Sequence, residues 1–311
     1  MANNSSDARA RGIAPPLKLF LDHCAIINLL EDSSFAVQRE RLESLCVGGT
    51  CVLILTIWYV HEALRDGNKD RARDLCEKIE ALSKQLPSLW IRLRTELQED
   101  EVADEFFRSI GAKYQKRKPF CEEAVAIFSN HEKLVDIESA RKQGLLWFFD
   151  KPYLFGEALN EQRNYPGVKG ELKTAVKATV GRKKMPNETK RLYVEGLLPS
   201  RTPGGLVIAE DSKRQFLQQM DINKFRAVAF EAALSEATTA DARARPTEQD
   251  SVDLQHAVCA LPYVDVAVLD GKFCKYALTV RQNWKGVEPL AECFDTVGAA
   301  LDWIEKQTPN C

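Results

Sequence analysis

Short apolar runs punctuate a chain that otherwise reads as helix. Leu17-Lys18-Leu19-Phe20-Leu21 stops at Asp22, and Cys51-Val52-Leu53-Ile54-Leu55-Thr56-Ile57 leads into Trp58-Tyr59-Val60-His61-Glu62. Val264-Asp265-Val266-Ala267-Val268-Leu269 closes on Asp270-Gly271. Runs this short, bounded by polar or turn residues, predict buried strands. Val287–Phe294 adds a last short strand. Between these runs the apolar spacing changes to threes and fours. Ala72, Leu75, Ile79, Leu82 and Leu86 share one face, which predicts a helix over Asp70–Leu86 that Pro87 ends. Shorter helices are predicted over Ala25–Leu30, over Phe35–Cys46, from Trp58 to Asp66-Gly67, over Lys272–Val280 and over Val297–Ile304. Asp250 and Ser251 are placed to cap a helix running to Ala260, with Asp253 in its first turn and Pro262 beyond its end.

Strands alternating with helices predict an α/β fold, here a three-layer α/β/α arrangement with a central parallel sheet. Residues 17–90 and 246–311 carry that pattern. Residues 1–16 are small and polar and read as a disordered tail without the apolar segment of a signal peptide. Residues 91–245 read as a mainly helical insertion. Helices are expected there at Leu89–Leu97, Glu101–Ile110, Phe120–Phe128, Ile137–Phe149 and Phe216–Ala240. The acidic stretch Glu96–Glu105 reads as exposed helix surface.

Four acids stand just past a strand or near a helix start: Asp22, Glu62, Asp253 and Asp270. A parallel sheet brings such positions to its C-terminal edge, where open α/β sheets bind ligands. Carboxylates crowded together repel unless a cation joins them. An all-oxygen set favours a hard cation, Mg²⁺ or Mn²⁺. Each acid also has a plain structural reading. Asp22 and Asp253 suit helix starts, Glu62 an exposed helix face, and Asp270 an Asp-Gly turn. Asp250 reads as a cap alone, and Asp265, at the start of its strand, as structural.

With its order of acids and the phrase L-P-Y-V-D-V-A-V-L-D at Leu261–Asp270, the chain resembles the PIN-domain ribonucleases, a group that includes many bacterial toxin nucleases. The resemblance covers residues 17–90 and 246–311. It implies a metal-dependent endoribonuclease in which Asp22, Glu62, Asp253 and Asp270 hold Mg²⁺ or Mn²⁺. Asp22 and Asp253 would be direct ligands, Asp270 direct or through water, and Glu62 would hold a water or a second ion. It further implies RNA as substrate, a protein antitoxin or regulator as a possible partner, and homo-oligomers as a possible assembly. Two positions depart from the family pattern. Cys24 stands where a Ser, Thr or Asn is usual, and Val268-Leu269 stand where a Thr or Ser precedes the last Asp. Both changes remove polar groups that orient ligands, which leaves a catalytically weak PIN-like module, binding RNA or protein, as the alternative.

Composition sharpens the picture only locally. The 311 residues carry a net charge of −2, which excludes a uniformly basic nucleic-acid coat. Val168–Arg191 is nevertheless basic, with eight Lys or Arg against two Glu. Lys173, Lys177, Lys183 and Lys184 within it are candidate phosphate contacts, with a solvated face as the plainer reading. Lys113–Lys118 is a smaller patch. Three of the four histidines touch the acidic motifs: His23, His61 and His256. His256 lies one helical turn after Asp253, placed to orient it, to meet a substrate phosphate, or to sit in the core. Nine cysteines without a C-x-x-C pair read as reduced thiols of a cytoplasmic protein. No apolar run approaches the length of a membrane span.

Overall fold

The computed structural model describes residues 15–65, 67–128, 137–151, 187–240 and 247–307. The first half of the described chain runs β1 (Leu17–Leu21), α1 (His23–Glu31), α2 (Ala36–Val47), β2 (Cys51–Leu55), α3 (Trp58–Arg65), α4 (Lys69–Gln85), β3 (Ser88–Ile91), α5 (Arg94–Ser109) and β4 (Phe120–Cys121). Four helices follow: α6 (Ile137–Gln143), α7 (Leu145–Phe149), α8 (Asn187–Gly196) and α9 (Glu210–Gln219). The rest is α10 (Arg226–Ala240), α11 (Glu248–Ala260), β5 (Val266–Val268), α12 (Gly271–Gln282), β6 (Glu292–Phe294) and α13 (Val297–Gln307).

Strand alternation explains the layers. Leu19 and Leu21 of β1, Leu53 and Leu55 of β2, and Val266 and Val268 of β5 enter one apolar cluster. Phe20, Ile54 and Ala267, the residues between them, enter another. Successive side chains of a strand leave opposite faces, so these strands are apolar on both sides and need helices over both. Helices α1 to α4 and α13 cover the first face. Helices α10, α11, α12 and the start of α5 cover the second. The result is compatible with a three-layer α/β/α fold.

The sheet order is β4-β3-β2-β1-β5-β6. Every neighbouring pair is parallel except β3 and β4. The chain leaves β1 toward β2 and leaves β5 toward β6, in opposite directions. The crevice beyond the C-terminal ends of β1 and β5 is therefore the topological switch point.

Residues 88–128 depart from expectation. The helix expected at Leu89–Leu97 is instead strand β3 followed by α5 from Arg94. Leu53↔Ser88 and Leu55↔Trp90 pair across the sheet, so tertiary pairing decides an apolar run too short to declare itself. The helix expected at Phe120–Phe128 is β4 followed by a 3₁₀ turn at Ala124–Phe128. The sheet thus draws one strand from within residues 91–245. The Ile137–Phe149 helix breaks at Gly144, whose φ is 57° and whose position leaves no room for a Cβ beside the Glu80 carboxylate. Glu80 accepts a hydrogen bond from the Leu145 N–H at 3.0 Å there. The long helix expected over Phe216–Ala240 is two, α9 and α10, joined through a 3₁₀ turn at Ile222–Lys224.

Glu96–Glu105 is not the solvated face expected. Glu96, Asp100 and Glu101 are buried on α5. Arg117, from the small basic patch, pairs with Asp100 at 2.7 Å and Glu96 at 3.3 Å, and Tyr263 donates to Glu101 at 2.6 Å. The outer side of α5 carries a third apolar cluster, where Phe106 and Phe107 meet Val194, Phe216, Phe225 and Val228. The helical part of the insertion is thus continuous with the sheet through α5 and α10. No helix among the described residues is long and apolar enough to cross a membrane. The eight described cysteines are free thiols. Most of the expected tail, residues 1–14, and Lys173, Lys177, Lys183 and Lys184 lie outside the described residues.

Candidate functional site

Two helix starts meet at the switch point. Asp22 follows β1 directly and caps α1, its Oδ1 accepting from the Ala25 N–H at 2.8 Å. Its own N–H donates to Val268 O at 3.0 Å, which ties the end of β1 to the end of β5. Asp270 caps α12 in the same way, its Oδ1 accepting from the Phe273 N–H at 2.6 Å. Helix N-termini favour negative charge, so both carboxylates are partly compensated where they stand.

Glu62 and Asp253 come from the helices that pack beside these ends. Glu62 is buried on α3. Asp253 is half-buried on α11. Helix α11 starts earlier than expected. Thr247 is its N-cap, joined to Asp250 in a reciprocal capping box, so Asp250 is the third helical residue and Asp253 lies in the second turn. A dipole role at the helix start therefore does not account for Asp253. Asp250 is further engaged by the Lys272 Nζ. Asp265 is structural, accepting from the Lys18 N–H at 2.8 Å at the opposite edge of the sheet.

The four acids act on one another. Burial, with the Asp270 charge added, raises Asp22 to about 6, against the pull of the Ala25 and Asp270 N–H groups. Burial raises Asp253 to about 7, helped by Asp270, Asp22 and Asp250. Burial raises Glu62 to about 8, helped by Asp253 and Asp22 and opposed by Gln249 and Arg65. The Cys24 thiol, raised to about 11 by burial, feels the charges of Asp22, Glu62, Asp253 and Asp270 together. By contact, Glu62 and Asp253 share the Gln249 amide, and Asp22 is tied to the strand end that leads to Asp270.

Three polar side chains stand against Glu62, and the sequence reading placed none of them there. His256 is fully buried, its Nε2 3.4 Å from Glu62 Oε2, between the edges of Phe20 and Tyr59. It faces Glu62 rather than Asp253 or solvent. Burial lowers its pKa to about 3, so the imidazole is neutral. The second neighbour, Gln249, donates from Nε2 to Glu62 Oε1 at 3.1 Å and to Asp253 Oδ1 at 2.9 Å. It precedes Asp253 by one helical turn, a spacing visible in E-Q-D-S-V-D. His23 Nδ1 lies 3.5 Å from Glu62 Oε2. His61 is buried with its ring edge-on to Trp58.

The donor set fits a hard cation. It is all oxygen, and Glu62 Oε2 is buried without a hydrogen-bond donor. Burial and mutual repulsion, which keep Asp22, Glu62 and Asp253 partly protonated, are what a bound cation would reverse. Among the described residues no three acidic, histidine or cysteine side chains are already drawn together closely enough to hold an ion. The fold and site thus define an α/β protein with a mostly parallel sheet and an acidic crevice at its switch point. No protein-family profile, curated protein or solved structure matches the chain.

Proposed function

We propose that the chain is a metal-dependent endoribonuclease of PIN-like fold that hydrolyses RNA phosphodiester bonds in the cytoplasm. The observation that carries this reading is that Asp22 and Asp270 cap the helices leaving adjacent strand ends at the switch point of a mostly parallel sheet, while Glu62 and Asp253 share the Gln249 amide. Asp22 and Asp253 would hold Mg²⁺ or Mn²⁺, with Asp270 beside Asp22 and Glu62 behind. Bound divalent ions would supply an activated water and relieve charge on the attacked phosphorus. The chain's own residues prepare the pocket. The α1 and α12 starts fix Asp22 and Asp270, and the Gln249 amide holds Glu62 by its Oε1. The buried carboxylates are poor anions alone, so they favour any partner that restores their charge. RNA would approach over the basic stretch containing Lys173, Lys177, Lys183 and Lys184.

A second reading is a PIN-like module that binds RNA or protein and cleaves weakly. It is favoured by Cys24, an exposed neutral thiol at the mouth of the site, and by the Val268-Leu269 pair before Asp270. The deciding experiment measures cleavage of a mixed-sequence RNA with Mn²⁺ and with a chelator, for wild type, Asp22→Asn and Asp253→Asn. The nuclease reading expects Mn²⁺-dependent cleavage that both substitutions abolish with the fold intact. Full activity in both variants, or in chelator, would reject it. RNA binding without cleavage would favour the second reading.

A further inference from the structure

The amide of Gln249 sits between two carboxylates that belong to different helices. Nε2 lies 3.1 Å from Glu62 Oε1 and 2.9 Å from Asp253 Oδ1. The orientation of the amide is settled by its other end, since Oε1 accepts from the Arg65 guanidinium. A guanidinium only donates and a carboxylate only accepts, so nitrogen must face the acids and oxygen must face Arg65. Gln249 therefore places one N–H on each of two acids that would otherwise repel.

The separations decide what this contact does. Oxygen ligands stand about 2.1 Å from Mg²⁺ and only slightly farther from Mn²⁺. The amide nitrogen holds the two oxygens about 1 Å farther from the centre than a shared ion would. Amide and ion also compete for the same lone pairs. With the amide in place the two carboxylates are splayed, consistent with no three candidate ligands among the described residues being gathered to hold an ion. Gln249 is half-buried and Arg65 is exposed, so the side chain has solvent to move into.

Building on the metal-site reading, we infer that Gln249 is a displaceable stopper, its amide occupying the place between Glu62 and Asp253 that a divalent cation would take. It is a determinant of cation affinity rather than a ligand. Loading the site means exchanging two N–H···O contacts for ion–oxygen contacts, with Gln249 swinging toward Arg65 and solvent. In the ion-free site the amide stands between the two carboxylates and supplies the polar contact that an ion would otherwise make.

The test is calorimetric titration of Mn²⁺ alone into the full chain, in wild type, Gln249→Met and Gln249→Ala. Met keeps the length and helix preference of Gln without its amide, and urea unfolding of each variant checks the fold. Removing a competing hydrogen bond to a charged group is expected to tighten Mn²⁺ binding about tenfold in both variants. Unchanged or weaker Mn²⁺ binding in the folded variants overturns the stopper and leaves the metal-site reading standing. Absence of Mn²⁺ binding in wild type and in both variants overturns the metal-site reading, and the stopper with it.

Discussion

Nε2 of His256 lies 3.4 Å from Oε2 of Glu62, and both side chains are buried. Burial disfavours charge on each, raising Glu62 and lowering His256, so the pair is neutral near pH 7 in the absence of a cation. It joins α11 to α3 across the end of β1. His256→Ala would remove a buried ring from between Phe20 and Tyr59 and strip Glu62 of a polar neighbour. We expect it to lower stability by about 3 kcal/mol in urea unfolding. A loss under about 1 kcal/mol would mean the pair is not the joint described.

Stability without divalent ions should depend on pH in a defined direction. Glu62, Asp253 and Asp22 have folded-state values of about 8, 7 and 6, above their ordinary ones. Between the unfolded and folded values the native state binds more protons than the unfolded state, so this contribution falls as pH rises. The loss begins near pH 4 and is complete near pH 8. Glu62→Gln removes part of it. The variant should gain on wild type by at least about 2 kcal/mol between pH 5 and pH 8. Mg²⁺ should restore wild type most at the alkaline end. A constant difference between the two proteins across that range would contradict these shifts.

Asp22→Asn and Asp253→Asn test the same electrostatics without loss of local structure. Asn keeps an oxygen for the cap at position 22 and for the Gln249 contact at position 253. Both variants should match or exceed wild-type stability in chelator while losing Mn²⁺-dependent cleavage. Asp22→Ala should lose the cap as well, at about 1 kcal/mol. Thermal unfolding in chelator separates the two effects, and equal stability of the Asn and Ala variants would remove the capping role.

The start of α11 offers a purely local check. Thr247 and Asp250 share the capping box, so Thr247→Ala should cost about 1 kcal/mol. Ser251→Ala should not reproduce that cost, because Ser251 lies inside the helix. Urea titrations of the two variants would exchange order if the helix began at Ser251 instead.

The basic stretch is tested by salt. If Lys173, Lys177, Lys183 and Lys184 meet phosphates, the four-fold Lys→Glu variant should bind all RNA sequences less tightly. The log–log salt slope should flatten by roughly 0.7 per lost contact on single strands. An unchanged slope would make this stretch ordinary surface.

Much of the site was legible before any tertiary contact. An apolar run ending in a short acid carries its own local logic: the run pairs as a strand, and the acid caps the helix that leaves it. That logic placed Asp22 and Asp270 at one edge, and the amphipathic spacing of Asp70–Leu86 fixed α4. Local physics also misled where two local solutions compete. Asp250 and Thr247 can each cap α11, and only the reciprocal contact between them shows which does.

What the tertiary structure decided needed partners distant in the chain. Ser88–Ile91 is a strand because β2 lies beside it with an open edge, not because of its own preference. Glu96, Asp100 and Glu101 are buried because Arg117 and Tyr263 fold back onto α5. Gln249 matters because Glu62, 187 residues earlier, arrives at its amide. Periodicity and capping act over one or two turns, so the sequence determined where strands stop and helices start. Burial, charge coupling and shared hydrogen bonds act through space, so only the folded chain determined which acids meet, which histidine faces them and what stands between them.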